Sequence, residues 1–94
     1  DAFPNKIINI HPSILPKYKG LNAIGQALES GDTITGCTVH YVTEELDSGK
    51  IIEQSVVSIF SDDTVETLTR RVQQEEHRLL PMVIDNLIKE KLNE

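Results

Sequence analysis

The run Ile7-Ile8-Asn9-Ile10-His11 ends abruptly at Pro12, with a second proline at Pro16 and Gly20 beyond it. Isoleucines around a single Asn predict a short buried strand over Lys6 to Ile10. Proline has no N–H to give a sheet ladder, so the strand stops at Pro12. Side chains two apart share one face of a strand, which sets Asn9 and His11 side by side at its carboxyl end. In open α/β sheets, ligands bind at that end. The first strand is apolar on both faces and so asks for cover on both sides.

The rest of the chain supplies one covering layer. Pro12 to Gly20 is a loop with a basic tip, Lys17-Tyr18-Lys19, which reads either as a solvated turn or as an anion-facing loop. Asn22 to Glu29 forms a short helix, with Asn22 as N-cap, Gly31 as its stop and Ile24, Ala27 and Leu28 at helical spacing. Thr33 to Thr43 and Ile51 to Ile59 are β-branched runs joined by the short acidic loop Glu44-Glu45-Leu46-Asp47-Ser48-Gly49. They pair as an antiparallel hairpin, with Gly49 expected to supply a positive φ. Asp63 fits an N-cap with Glu66 at N3, an acidic variant of the capping box. Beyond it Val65, Leu68, Val72, Leu79, Leu80, Val83, Ile84, Leu87 and Ile88 mark a long amphipathic helix. Pro81 falls inside this pattern and predicts a kink or a break. The fold class is α/β, in the order strand, helix, strand, strand, helix.

Size and charge narrow the function. Ninety-four residues make one small domain or part of one, and a single covering layer points to a missing half or an oligomeric partner. The chain opens Asp1-Ala2-Phe3-Pro4 without Met, which predicts a fragment or a processed chain. A formal charge of −6 with scattered Lys and Arg argues against nucleic acid and anionic membrane surfaces as partners. No apolar run is long enough to span a bilayer and no signal-peptide pattern opens the sequence. One cysteine excludes an internal disulfide framework and fits a reducing compartment.

His11 is the prime candidate for chemistry, because an imidazole gives or takes a proton near neutrality. Asn9 can donate an amide hydrogen to a developing oxyanion, or bond the neighbouring loop backbone. Asp47 can hold an imidazole charged and pass a proton through water, or serve as a turn residue before Gly49. Ser13 lacks the glycine-flanked elbow of a nucleophilic serine. Cys37, in mid-strand, reads as buried and inert, and His40 as a structural or loop-supporting residue. The histidines have neither the i, i+4 spacing nor the Cys partners of a zinc site, so no metal is expected. Glu76 lies four residues after Val72 and four before Leu80, on the apolar stripe of the long helix. A carboxylate there either reaches water or faces a cavity as a ligand contact, with Gln73 one turn earlier.

The segments Asn9-Ile10-His11-Pro12-Ser13-Ile14-Leu15-Pro16, Gly36-Cys37-Thr38-Val39-His40 and Glu45-Leu46-Asp47-Ser48-Gly49 together resemble the 10-formyltetrahydrofolate-dependent formyltransferases. The resemblance runs from about Lys6 to Leu92, and within the family it is greatest to the branch that formylates glycinamide ribonucleotide in purine synthesis. It implies the carboxyl-terminal half of a formyltransferase-type, nucleotide-binding-like fold. It further implies Asn9, His11 and Asp47 as the catalytic trio, Thr43, Glu44 and Asp47 around the pterin of the folate co-substrate, and Glu76 and Gln73, from Gln73-x-x-Glu76-His77, as contacts to the substrate ribose. The implied setting is cytoplasmic one-carbon metabolism with 10-formyltetrahydrofolate and no metal.

Two departures from the pattern stand out. Ile24 occupies a position where the family usually has His. The amino-terminal half, with its glycine-rich phosphate loop, is absent from this sequence, so these residues alone are expected to be inactive and to need the other half or a homo-oligomer partner. Formyltetrahydrofolate hydrolase is the runner-up, on His40-Tyr41-Val42-Thr43 and Ile51-Ile52-Glu53-Gln54, although it puts His where Pro12 stands. Methionyl-tRNA formyltransferase shares the trio but calls for a basic extension. A non-catalytic fragment that only folds or associates is the reading from another class.

Overall fold

The computed structural model describes residues 7–44 and 49–93. Its elements follow the predicted order: β1 (Ile8–His11), α1 (Ala23–Ser30), β2 (Ile34–Tyr41), β3 (Ile51–Ser58) and α2 (Val65–Leu92). The strands form one sheet in the order β1-β2-β3. Both pairings are antiparallel, with Asn9 opposite His40 and His11 opposite Thr38. Along β2–β3 the register shifts between Val39 and His40, where β3 carries an extra residue. Such a bulge bends the strand locally and re-aims side chains, here beside the partner of Asn9.

One face of the sheet carries the core. Cys37, Val39 and Val57 meet Leu68, Val72, Leu79 and Val83 of α2 and Ile24 of α1, with Ile8 and Ile10 packed against the group. Of the apolar positions that the spacing picks out on α2, Leu68, Val72, Leu79 and Val83 are buried, whereas Val65, Ile84 and Ile88 are exposed. β1 buries less than its composition suggests. Ile8 and Ile10 are half-buried, Asn9 is exposed and His11 buried, and Ile7 is 69% exposed. Ile8 and Ile10 thus face the packed core, while the opposite face of the strand is open at Asn9 and covered at His11.

Two local expectations need correction, at the α2 cap and at Gly49, and one, at Pro81, is narrowed. The N-cap of α2 is Thr64, one residue beyond Asp63, and it forms a capping box with Thr67 instead of Glu66. Asp63 is engaged elsewhere. It accepts the Phe60 amide at 2.7 Å and both Arg71 Nη atoms at 2.8 and 2.9 Å. A carboxylate committed to a bidentate guanidinium leaves the cap to the neighbouring hydroxyl. Arg71 also lies over the Phe60 ring, 4.4 Å from its centre, and donates to the Ser58 carbonyl, which ties the β3–α2 connection down. At Pro81 the helix does not break, and α2 runs through it as one element of 28 residues. The apolar stripe on both sides of the proline packs on one core, and that packing outweighs one absent backbone bond. Finally, Gly49 does not adopt positive φ. It is required because any Cβ would run into the Tyr41 carbonyl, where the two ends of the hairpin loop close and the Tyr41 amide donates to Lys50 O at 2.9 Å.

Asn22 and Gly31 do flank α1, Gly31 with φ 78 as the glycine stop requires. Asn22 makes no side-chain cap bond, because its own backbone is left-handed at φ 60. No helix among the described residues is long and apolar enough to cross a membrane.

Candidate active site

The face of β1 opposite the core holds Asn9 and His11. Pro12 ends the strand, and the chain folds back over the sheet through residues 12–20, with a cis peptide between Leu15 and Pro16. That loop is fixed by polar groups. Thr38 Oγ1 accepts the Leu15 amide at 3.1 Å and donates to the Ser13 carbonyl at 2.7 Å. Gln54, opposite Thr38 on β3, donates to Leu15 O at 3.0 Å and to Thr38 Oγ1 at 3.1 Å. Ser13 Oγ donates to Lys17 O at 2.5 Å. The Ser13 hydroxyl is buried and engaged by this turn, consistent with its dismissal as a nucleophile.

His11 is 6% exposed, and its Nε2 stands 2.8 Å from the Tyr18 carbonyl oxygen. A carbonyl only accepts, so in this contact the hydrogen sits on Nε2. In the neutral ring Nδ1 then carries no hydrogen. Asn9, exposed on the same face, presents a carboxamide beside this imidazole. A donor amide next to a titratable ring can stabilise negative charge developing on a substrate oxygen and exchange a proton with it.

The other predicted site residues fall in two places. Glu76 of α2 is half-buried, and burial pushes its carboxyl above the usual range. The charges of His77 and His11 pull the other way, so Glu76 lies within the electrostatic reach of His11. Gln73 is exposed on the same helix. Thr43 and Glu44, also exposed, leave the sheet just after Tyr41, which lies opposite Ile8 and so one step from the Asn9–His40 pair. Val42 donates to Ile7 O there at 2.8 Å. Asp47 lies outside the described residues.

The remaining candidates behave structurally. Cys37 is fully buried, and burial, then Glu76 and Glu75, push its thiol up to about 11, so it stays protonated and unreactive. His40 is buried, with Nδ1 3.0 Å from Tyr41 O. Ile24 is a core residue 8% exposed, packed with Cys37 and Val39. Lys17 of the basic tip pairs with Asp32 at 3.2 Å. No group of His, Cys, Asp and Glu able to hold a metal ion occurs among the described residues. The sequence reading missed Thr38 and Gln54, the two side chains that fasten the loop. A polar pair at facing positions of a hairpin resembles ordinary solvent-face alternation until the loop is seen to cover it. It also missed the Tyr18 carbonyl, because a backbone acceptor leaves no mark in residue type.

Comparison with known proteins bears on the family and the fold. The profile of the formyl transferase family matches residues 1–84. The trifunctional purine biosynthetic protein adenosine-3 of Chironomus tentans is 56% identical over 84 residues, 89% of this chain and 6% of that protein. Its Homo sapiens counterpart is 53% identical over 79 residues, 84% of this chain and 8% of that one. Among solved structures, phosphoribosylglycinamide formyltransferase from Anaplasma phagocytophilum superposes with TM-score 0.91 at 47% identity, covering 96% of this chain and 44% of its own. Glycinamide ribonucleotide transformylase 1 from Symbiobacterium toebii gives TM-score 0.85 at 55% identity, covering 88% and 39%. The chain therefore spans less than half of these solved relatives and a small part of the trifunctional ones. It belongs to the formyl transferase family.

Proposed function

We propose that this chain carries the Asn9–His11 part of an enzyme that moves a formyl group from 10-formyltetrahydrofolate to the amine of glycinamide ribonucleotide, in cytoplasmic purine synthesis. The observation that carries the reading is the juxtaposition on β1 of an exposed carboxamide and a buried imidazole whose Nε2 hydrogen is held by a backbone carbonyl. The relatives named for this chemistry support it.

In this reading the substrate amine attacks the formyl carbon. The carbonyl oxygen becomes an oxyanion, stabilised by the Asn9 amide and by protonated His11. Asp47 is assigned to keep His11 charged and, through water, to move the proton from the attacking amine to the departing folate nitrogen. Thr43, Glu44 and Asp47 are assigned to the pterin of the folate. Glu76 and Gln73 are assigned to the substrate ribose. A half-buried carboxylate whose ionised form is disfavoured gains by accepting hydroxyl hydrogens. The remainder of the fold, including the site for the substrate phosphate, is assigned to the part of the relatives that this chain does not span.

The test joins this chain to the portion of the Anaplasma phagocytophilum enzyme that it does not span. The completed protein is supplied with 10-formyltetrahydrofolate and glycinamide ribonucleotide, and products are read by mass spectrometry. Formylated nucleotide is the expected product. Free formate with unmodified nucleotide would mean hydrolysis instead, and a folded protein that yields neither would contradict the proposal outright.

A further inference from the structure

Tyr18 is one of two non-glycine residues with positive φ among the described residues, at 57. L residues rarely adopt that conformation without support from their surroundings. Here the support is a compact polar cluster. The Tyr18 hydroxyl donates to Asp32 Oδ2, and Lys17 Nζ donates to the same oxygen at 3.2 Å. Ser30 Oγ stands 2.8 Å from the Tyr18 hydroxyl, accepts the Asp32 amide at 3.1 Å and donates to the Ala27 carbonyl at 2.6 Å. The cluster is thus anchored on the last turn of α1, and Gly31 turns the chain so that Asp32 faces the loop. The bonds from Tyr18, then Lys17, hold the Asp32 carboxyl below its usual range, so it is ionised at neutral pH and accepts both donors at full charge. At its other end Tyr18 offers its carbonyl to His11 Nε2 at 2.8 Å.

We propose that Asp32 is a positioning residue for the active site: it holds Tyr18 in the left-handed conformation, and the Tyr18 carbonyl thereby fixes the ring orientation of His11 and keeps its hydrogen on Nε2. This rests on the reading of His11 as the proton-handling group, and it adds a control element some distance from the chemistry. Among the described residues, the bonding partners of Asp32 are Tyr18, Lys17 and Ser30, and none of them is assigned to the reaction. If the carboxylate is lost, Tyr18 relaxes toward an ordinary φ, its carbonyl swings away, and Nε2 loses the acceptor that holds its hydrogen. The reaction would then meet an imidazolium turned away from the substrate oxygen in part of the molecules.

The test reads the tautomer directly. In the whole chain with nitrogen-15 histidine, above the titration of the ring, long-range proton–nitrogen spectra distinguish the two neutral forms. The His11 signals are identified by their disappearance in His11→Asn. The native chain is expected to hold the Nε2–H form. Asp32→Asn and, independently, Tyr18→Phe, which removes a single oxygen, are each expected to reduce that preference roughly tenfold, the scale of one hydrogen bond to a charged group. The dispersed β2 amide signals monitor folding in each variant. An unchanged tautomer ratio in both folded variants, or a native His11 with its hydrogen on Nδ1, would overturn the proposal. The readout needs neither folate nor nucleotide, so failure of the formyl-transfer reading cannot be mistaken for failure of this one.

Discussion

The two faces of the sheet are held by different physics. On one, Leu68, Val72, Leu79 and Val83 of α2 press on Cys37, Val39 and Val57, with Ser55 of β3 and Glu75 of α2 as a polar pair beside them. On the other, the loop of residues 12–20 is attached to the sheet through Thr38 and Gln54, braced within by Ser13 and tied to Asp32 by Tyr18. Apolar packing is strong but non-directional. Hydrogen bonds contribute less in net free energy, yet they fix angle and distance. The apolar face therefore determines that the chain folds, and the polar face determines where His11 points.

This contrast fixes what substitutions should do. The largest effect is expected from Leu68→Ala, which empties a fully buried position of the apolar face. It should cost about 2–5 kcal/mol in urea denaturation. A loss under 1 kcal/mol would mean that the α2 packing is looser than described. Thr38→Val keeps the shape but strips the loop of its hub, leaving the Leu15 amide and Ser13 carbonyl without their partner. A cost of about 1–3 kcal/mol is expected, with faster hydrogen exchange at Leu15 and little change in the Leu68 surroundings. Equal acceleration throughout the core would erase the distinction between the faces.

The smallest effect is one of pH. Arg78, and then Ser55 of β3, hold the Glu75 carboxyl down to about 2 from an ordinary 4.5. A depressed carboxylate adds stability above its unfolded pKa and loses it as pH falls through the folded one. Denaturation midpoints should thus decline between about pH 4.5 and 2, and Glu75→Gln should flatten the decline. Asp63, held low by Arg71, acts in the same direction, so the flattening is partial. A slope identical in native and variant chains would remove Glu75 from the account.

What was legible in the sequence divides along the same line. Element order, the hairpin and the core side of α2 follow from periodicity, because apolar burial repeats with the backbone. The place of Asn9 and His11 at the end of β1 was legible because Pro12 ends their strand just after them. The cap of α2 was misread by one residue, since Asp63 and Thr64 are both good caps and only the distant Arg71 decides between them. At Pro81 the alternatives were a kink or a break, and packing on either side of it, which local propensity cannot see, excludes the break. Gly49 was assigned the commoner use of glycine in place of a close backbone approach. Thr38, Gln54 and the Tyr18 carbonyl were missed for one reason: their partners lie on a loop whose path no local pattern encodes.

The measurement that bears most directly on the division of labour is formyl transfer by the completed protein carrying His11→Asn, with its urea midpoint read on the same sample. The account predicts a rate lowered by about 10²–10⁴-fold, the usual worth of a positioned acid–base group. It also predicts a stability changed by no more than about one hydrogen bond, ~1 kcal/mol. Transfer at the native rate would contradict the assignment of His11, and a rate that fell only in step with unfolding would show that His11 belongs to the scaffold.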